Sequence, residues 1–299
     1  MIRTLAAGLL ALVSLAPWPA AAIPIQTQTA LTAHEGGVIV RSQYRTLRAT
    51  GDPTAADREL RVRVVPTAIV YGLTARLNLF AIVPYVDTEL RLDTPAGRLT
   101  RGATGLGDVT TFAKGRVWTR DGPGWTRRFS LIGGLEWPTG DFHRTDALGE
   151  IPRPLQPGSG SYDPLAGAIV TWQTLGWQVD ADAVYRHHTE RAGFAFGDTL
   201  DVDLAAQLRL RPRRLPARGL PTYLNGVLEL GGRWAGKDAV DGRADPDSGG
   251  HTLQLSPGIQ WVGTRWLVEA GVQLPIVQNL NGDGLETDYV ITSGVRWQY

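Results

Sequence analysis

Five histidines, at positions 34, 143, 187, 188 and 251, and no cysteine supply the nitrogen and sulfur chemistry of this 299-residue chain. The lack of cysteine excludes a disulfide scaffold, a thiolate metal site and a thiol nucleophile. His187-His188 is the best-placed pair for a general base or a ligand. Adjacent residues of a strand point to opposite faces, which argues against both gripping one metal. No serine has the G-x-S-x-G spacing of an exposed nucleophile, and Gly158-Ser159-Gly160-Ser161 lacks it. The run Gly102-Ala103-Thr104-Gly105-Leu106-Gly107-Asp108 is followed by no Lys-Ser/Thr and opens a strand pattern. It therefore reads as a turn or bulge, not as a phosphate cradle. Asn279-Leu280-Asn281-Gly282-Asp283-Gly284 has the start of a calcium loop, but Val290 stands where the closing acid is needed. Its Asn-Gly and Asp-Gly steps suit a turn. We expect no catalytic residue, no metal and no cofactor.

The elements that would carry these residues are strands. The chain holds 36 Gly and 10 Trp, with 30 Lys+Arg against 29 Asp+Glu. That balance argues against a nucleic-acid partner, which would call for a basic excess. Residues 1–22 read as a signal peptide: Arg3 is the positive start, residues 5–15 the apolar run, and Ala20-Ala21-Ala22 the cleavage site. Residues 23–37 precede the first strand and could fold into a lumen as a plug. From residue 38 to 299 the pattern has period two, clearest where Leu200, Val202, Leu204, Ala206, Leu208 and Leu210 alternate with polar or small residues. Twelve such strands can be followed, enough for an all-β, antiparallel transmembrane β-barrel whose segments of about 9 to 11 residues cross a bilayer at a tilt. Short connections, such as residues 72–76, 173–176 and 262–265, alternate with long polar ones, such as 140–163, 235–251 and 275–286. Those are the inner turns and outer loops of an outer-membrane barrel. Two inner connections, 121–126 and 212–221, are longer than that pattern wants, and strands three, four and six are apolar on both faces, leaving their register open.

The barrel reading sorts the side chains. Trp118, Trp125, Trp172, Trp177, Trp261, Trp266 and Trp297 lie beside the inner turns, where an indole can bury its plate and satisfy its N–H at the headgroup level. We expect them to form the membrane-interface girdle. The proposed outward faces carry almost no charge, and a basic residue at the lipid midplane costs about 2–4 kcal/mol. The charges fall on the other faces, so the lumen-lining candidates are Arg41, Arg61, Arg63, Asp180, Asp182, Asp201, Asp203, Arg209, Glu229, Arg233, Glu269, Asp288 and Arg296.

Several pieces, in order, carry a resemblance to a known family. They are Tyr71-Gly72-Leu73-Thr74-Ala75-Arg76-Leu77 running into Val83-Pro84-Tyr85-Val86, then Gly105-Leu106-Gly107-Asp108, Trp137-Pro138-Thr139-Gly140-Asp141 and Leu255-Ser256-Pro257-Gly258-Ile259-Gln260-Trp261. The chain resembles the outer-membrane transporters named for the meta pathway of phenol degradation. The resemblance implies an outer-membrane β-barrel akin to channels that admit hydrophobic compounds. Separately, a last strand ending at Tyr299 with Tyr289, Ile291, Val295 and Trp297 at alternate positions resembles the signal read by the barrel-assembly machinery. The expected function is passage or binding of small, hydrophobic or aromatic molecules in the outer membrane of a Gram-negative bacterium, with outer-membrane lipid and that machinery as partners and no covalent chemistry. The alternatives are a sealed structural or adhesion barrel acting through its outer loops, and a rim-located lipid hydrolase using His187 or His188.

Overall fold

Alternation of apolar and polar side chains, punctuated by Gly- and Pro-bearing turns, folds the chain into twelve long strands. In the computed structural model, residues 23–214 and 221–299 are described; the signal-peptide expectation for residues 1–22 lies outside them. Numbering the long strands alone, β1 is Val38–Gly51, β2 Glu59–Thr74, β3 Leu77–Thr94, β4 Val109–Gly122, β5 Trp125–Trp137 and β6 Asp163–Thr174. The second half comprises β7 Trp177–Arg186, β8 Thr199–Arg211, β9 Tyr223–Ala235, β10 Gly250–Val262, β11 Trp266–Leu280 and β12 Glu286–Gln298. Each pairs antiparallel with its sequence neighbours, and β1 pairs with both β2 and β12. The sheet is thus closed, which leaves no edge for another chain to extend.

At one end the turns are tight: Ala75-Arg76, Pro123-Gly124 and Leu175-Gly176 each join a pair of strands. The connection expected over 121–126 is shorter than its sequence suggests, because β4 and β5 run on to Gly122 and from Trp125. Gly124 makes that turn with φ +77°, a conformation that favours glycine. The other end carries the long loops. Residues 138–162 fold back against the inward side of β2 and β3, where Ile151 and Leu155 pack with Ala103, Leu60 and Leu90. The loop is held by Asp108, whose carboxylate accepts from the Gly140 amide (2.8 Å), the Ser159 amide (2.6 Å) and Ser159 Oγ (2.7 Å). The glycine-rich run ending at Asp108 is therefore a loop anchor at the start of β4. Residues 194–195 pair with 239–240, which pair with 243–244, in a small sheet made by two further outer loops.

Directly paired residues of antiparallel strands share a face, so the register sorts the wall. Leu204, Leu208, Leu228, Ile259, Val268, Ile291 and Val295 are exposed, whereas Gln207, Glu229, Gln260, Glu269, Gln273 and Arg296 are buried. On β8 to β12 the wall is therefore apolar outside and polar inside, the arrangement a lipid-facing barrel requires.

Candidate functional site: the barrel lumen

The lumen has two unlike walls. On β3 to β7, inward-facing Phe80, Ile82, Phe112, Ile132, Leu165, Ile169 and Val184 form one apolar surface. Within it Phe80 and Phe112, cross-strand neighbours, stack with ring centroids 4.3 Å apart and planes 12° apart. The opposite wall, on β8 to β12 and β1, is ionic. Arg41 donates through Nε (2.9 Å) and Nη2 (2.6 Å) to Glu269 Oε1, Gln43 Nε2 donates to the same oxygen at 2.8 Å, and Gln260 Nε2 reaches Glu269 Oε2 at 3.1 Å. Higher up, Arg233 grips Asp201 with both prongs, at 2.6 and 3.0 Å. Pairing of opposite charges across strands keeps this wall rigid without a ring of one sign.

Between the walls runs the segment before β1. It leaves Gly36 and Gly37, which exchange backbone bonds with Gly72 at the short-turn end, and Thr32 Oγ1 donates to the Ala75 carbonyl (3.0 Å). At Gly72 a Cβ would lie 2.0 Å from the His34 carbonyl oxygen, so only glycine admits this approach. Ala30 then seats on the apolar wall and its carbonyl accepts from Ser130 Oγ at 3.0 Å. Lys114 Nζ, 5.0 Å from the Phe80 ring centroid, donates to the Thr29 carbonyl at 2.9 Å. The Ala30 amide donates to Thr171 Oγ1 (2.7 Å), and Thr171 in turn donates to Asp180 (2.5 Å). The Gln28 amide donates to Asp182 (2.6 Å), and the amides of Gln26 and Thr27 both donate to Glu229 Oε1 at 3.0 Å. The Ile25 carbonyl accepts from Arg41 (2.8 Å) and Gln43 (3.0 Å), and the Ile23 carbonyl from Gln260 (2.6 Å). Gln26 and Gln273 also bond through their side-chain amides. The barrel thus holds residues 23–32 largely by their backbone groups, along a path that bends at residues 25–27 and 30 as it runs from one wall to the other.

Most of the lumen-lining candidates face inward by register: Arg41, Asp180, Asp182, Asp201, Asp203, Arg209, Glu229, Arg233, Glu269 and Arg296. Arg209 sits at the short-turn end, donating to the Leu175 carbonyl. Three do not line the lumen. Arg61 and Arg63 share a face with exposed Tyr71 and Ile69 and point outward at the loop end, where Arg63 pairs with Asp87 at 2.8 Å and Arg61 lies 3.5 Å from Glu59. The alternation in β2 is inverted relative to expectation because Leu60 and its same-face neighbours pack inward under the 138–162 loop. Asp288 is displaced by a register shift between Arg48 and Ala49; it accepts from Thr50 Oγ1 (2.9 and 3.0 Å) and stands 3.8 Å from Arg48 Nε. Both of those partners belong to the outward set of β1. Lys114, Gln43, Thr171, Ser130, Gln260 and Gln273 are lumen residues absent from the expected set. The girdle tryptophans face outward at the short-turn end, with edge-to-face contacts between Trp172 and Trp177 (4.9 Å) and between Trp261 and Trp266 (5.4 Å).

The histidine pair lies at the loop end. His187 Nδ1 is 2.9 Å from Asp198, while His188 turns to the Phe196 ring, 6.1 Å between centroids. Burial opposes the charge on Asp198, but bonds from Tyr185, His187 and the His188 amide outweigh it and draw its pKa down to about 2. Burial pushes the His188 imidazole below its ordinary value. In the first outer loop, the Arg58 guanidinium holds Asp52 well below the usual carboxylate range. These are loop-fastening contacts, and no serine is bonded to either histidine among the described residues.

A family model described as "Putative MetA-pathway of phenol degradation" matches residues 56–279. None of the curated proteins matches this chain in sequence. Among solved structures, an outer membrane channel from Pseudomonas putida F1 is similar with a TM-score of 0.67 at 17% identity, over 93% of this chain and 100% of that one. The translocator domain of the autotransporter NalP from Neisseria meningitidis is similar with a TM-score of 0.42 at 13% identity, over 90% of this chain and 91% of that one.

Proposed function

The chain belongs to the family described by that model, and from this premise we propose that it is an outer-membrane channel for small aromatic molecules that carry a polar group. The two-walled lumen is the observation that carries this reading. An aromatic ring meets the Phe80–Phe112 wall while its polar substituent meets the ion pairs of Arg41, Glu269, Asp201 and Arg233. No covalent step is part of the proposal. Residues 23–32 act as a plug, because every hydrogen bond holding them is one that water or a passing solute can replace. Export by residues 1–22, insertion by the barrel-assembly machinery through the strand ending at Tyr299, and residence among outer-membrane lipids complete the proposal.

The alternative is a sealed barrel. It has one observation in its favour, since residues 23–32 and the 138–162 loop both occupy the interior. Uptake by proteoliposomes separates the two. The protein and a variant lacking residues 23–32 are compared with 4-hydroxybenzoate and with xylose. We expect both solutes to enter faster through the variant, with the aromatic one favoured. A channel reading fails if neither solute enters through either protein.

A further inference from the structure

We infer that the outward face of the β4–β5 hairpin is a binding site for the phosphate of an anionic phospholipid. Arg120 and Arg127 are direct cross-strand partners on the face that carries Trp118 and Leu131. Like charges placed opposite each other repel unless an anion lies between them. Asp121, the acid nearest in sequence, is on the other face, bonded to Thr126 and 3.7 Å from Arg128. Among the described residues neither Arg120 nor Arg127 has an ion pair with a carboxylate. Arg127 instead lies over two indoles, its guanidinium carbon 4.4 Å from the Trp172 ring centroid and 5.1 Å from that of Trp125. A cation–π contact uses none of the guanidinium N–H groups as hydrogen-bond donors to an acceptor oxygen, and that planar donor set matches the oxygens of a phosphodiester. The site lies at the short-turn end within the tryptophan girdle, at headgroup depth, and is continuous with the apolar face that meets acyl chains. A lipid therefore satisfies both halves of the site, whereas a free anion satisfies only the guanidinium pair.

This inference rests on the membrane reading, and its test keeps the two apart. The purified full chain is first checked for insertion into vesicles and for a heat-modifiable gel shift; failure there overturns the membrane reading. Inserted protein is then titrated by native mass spectrometry with phosphatidylglycerol and with phosphatidylcholine. We expect phosphatidylglycerol to be retained preferentially, and the Arg120→Gln/Arg127→Gln double variant to lose about 30-fold in that preference, from about 1 kcal/mol per basic residue near an anionic surface. Equal retention of the two lipids by the wild type overturns the inference without any variant. So does an unchanged preference in a double variant that still shows the gel shift. Displacement of phosphatidylglycerol by an equal concentration of inorganic phosphate would make this a general anion site and overturn the lipid assignment.

Discussion

Replacing Glu229 by alanine is expected to loosen the hold of the barrel on residues 23–32. One oxygen of this buried side chain accepts from two successive amides, those of Gln26 and Thr27, each at 3.0 Å. Hydrogen bonds to a charged group contribute about 1.5–3 kcal/mol net. Two donors sharing one oxygen justify the lower figure for each, so the carboxylate contributes about 3 kcal/mol. At about 1.4 kcal/mol per factor of ten, its loss shifts the plugged-to-unplugged ratio by about 10²-fold; water entering the lumen can only reduce that. Single-channel recording in planar bilayers reads the effect as a shortening of the closed dwell time. The variant lacking residues 23–32 sets the unplugged limit. If that deletion changes the dwell time and Glu229→Ala does not, the anchoring argument is wrong, because Glu229 then holds nothing that gates the bore.

Further expectations follow from other contacts. Phe112→Ala removes one ring of the stacked pair and should lower the preference for 4-hydroxybenzoate over xylose by about 2- to 10-fold, from the roughly 0.5–1.5 kcal/mol of an aromatic pair; an unchanged ratio of uptake rates would detach the apolar wall from selectivity. Asp108→Ala strips three bonds from the 138–162 loop and should expose that loop to protease while the gel shift of the barrel is unaffected. The Asp198 carboxyl, drawn down to about 2, should keep its bonds to Tyr185 and the His188 amide through pH 4 and lose them as pH falls through 2. A folded-state pKa below the ordinary carboxylate value means that this contribution is complete above about 4 and vanishes in acid. A carboxyl carbon chemical-shift titration with its midpoint near 4 would contradict it.

The strand count and the closure of the barrel were legible because burial on one face only imposes period two, as residues 200–210 display. The ionic wall was legible for the same reason: Asp201, Asp203, Glu229 and Glu269 cannot face lipid. The rule failed at Arg61 and Arg63, since it assumes that every stretch of a strand lies within the bilayer. The loop end of β2 extends past it, and there a folded-back loop reverses the preference. Lys114 was hidden on a strand apolar on both faces. Thr171, Ser130 and Gln260 were hidden because a neutral polar side chain tolerates many settings. The path of residues 23–32 depends on long-range bonds to five or more strands, which no local pattern encodes. The bulge that turns Asp288 outward is likewise set by pairing with β1.

In the proposed channel, residues 23–32 obstruct the conducting path. The native chain has no cysteine, so Thr29→Cys/Thr171→Cys, at positions whose hydroxyls lie 3.1 Å apart, introduces the one pair able to cross-link. Conductance of this variant in a planar bilayer is to be recorded oxidised and then after reduction. A low conductance that rises on reduction toward that of the deletion variant is the predicted result. Equal conductance before and after reduction, with the cross-link verified by mass spectrometry, would contradict the account.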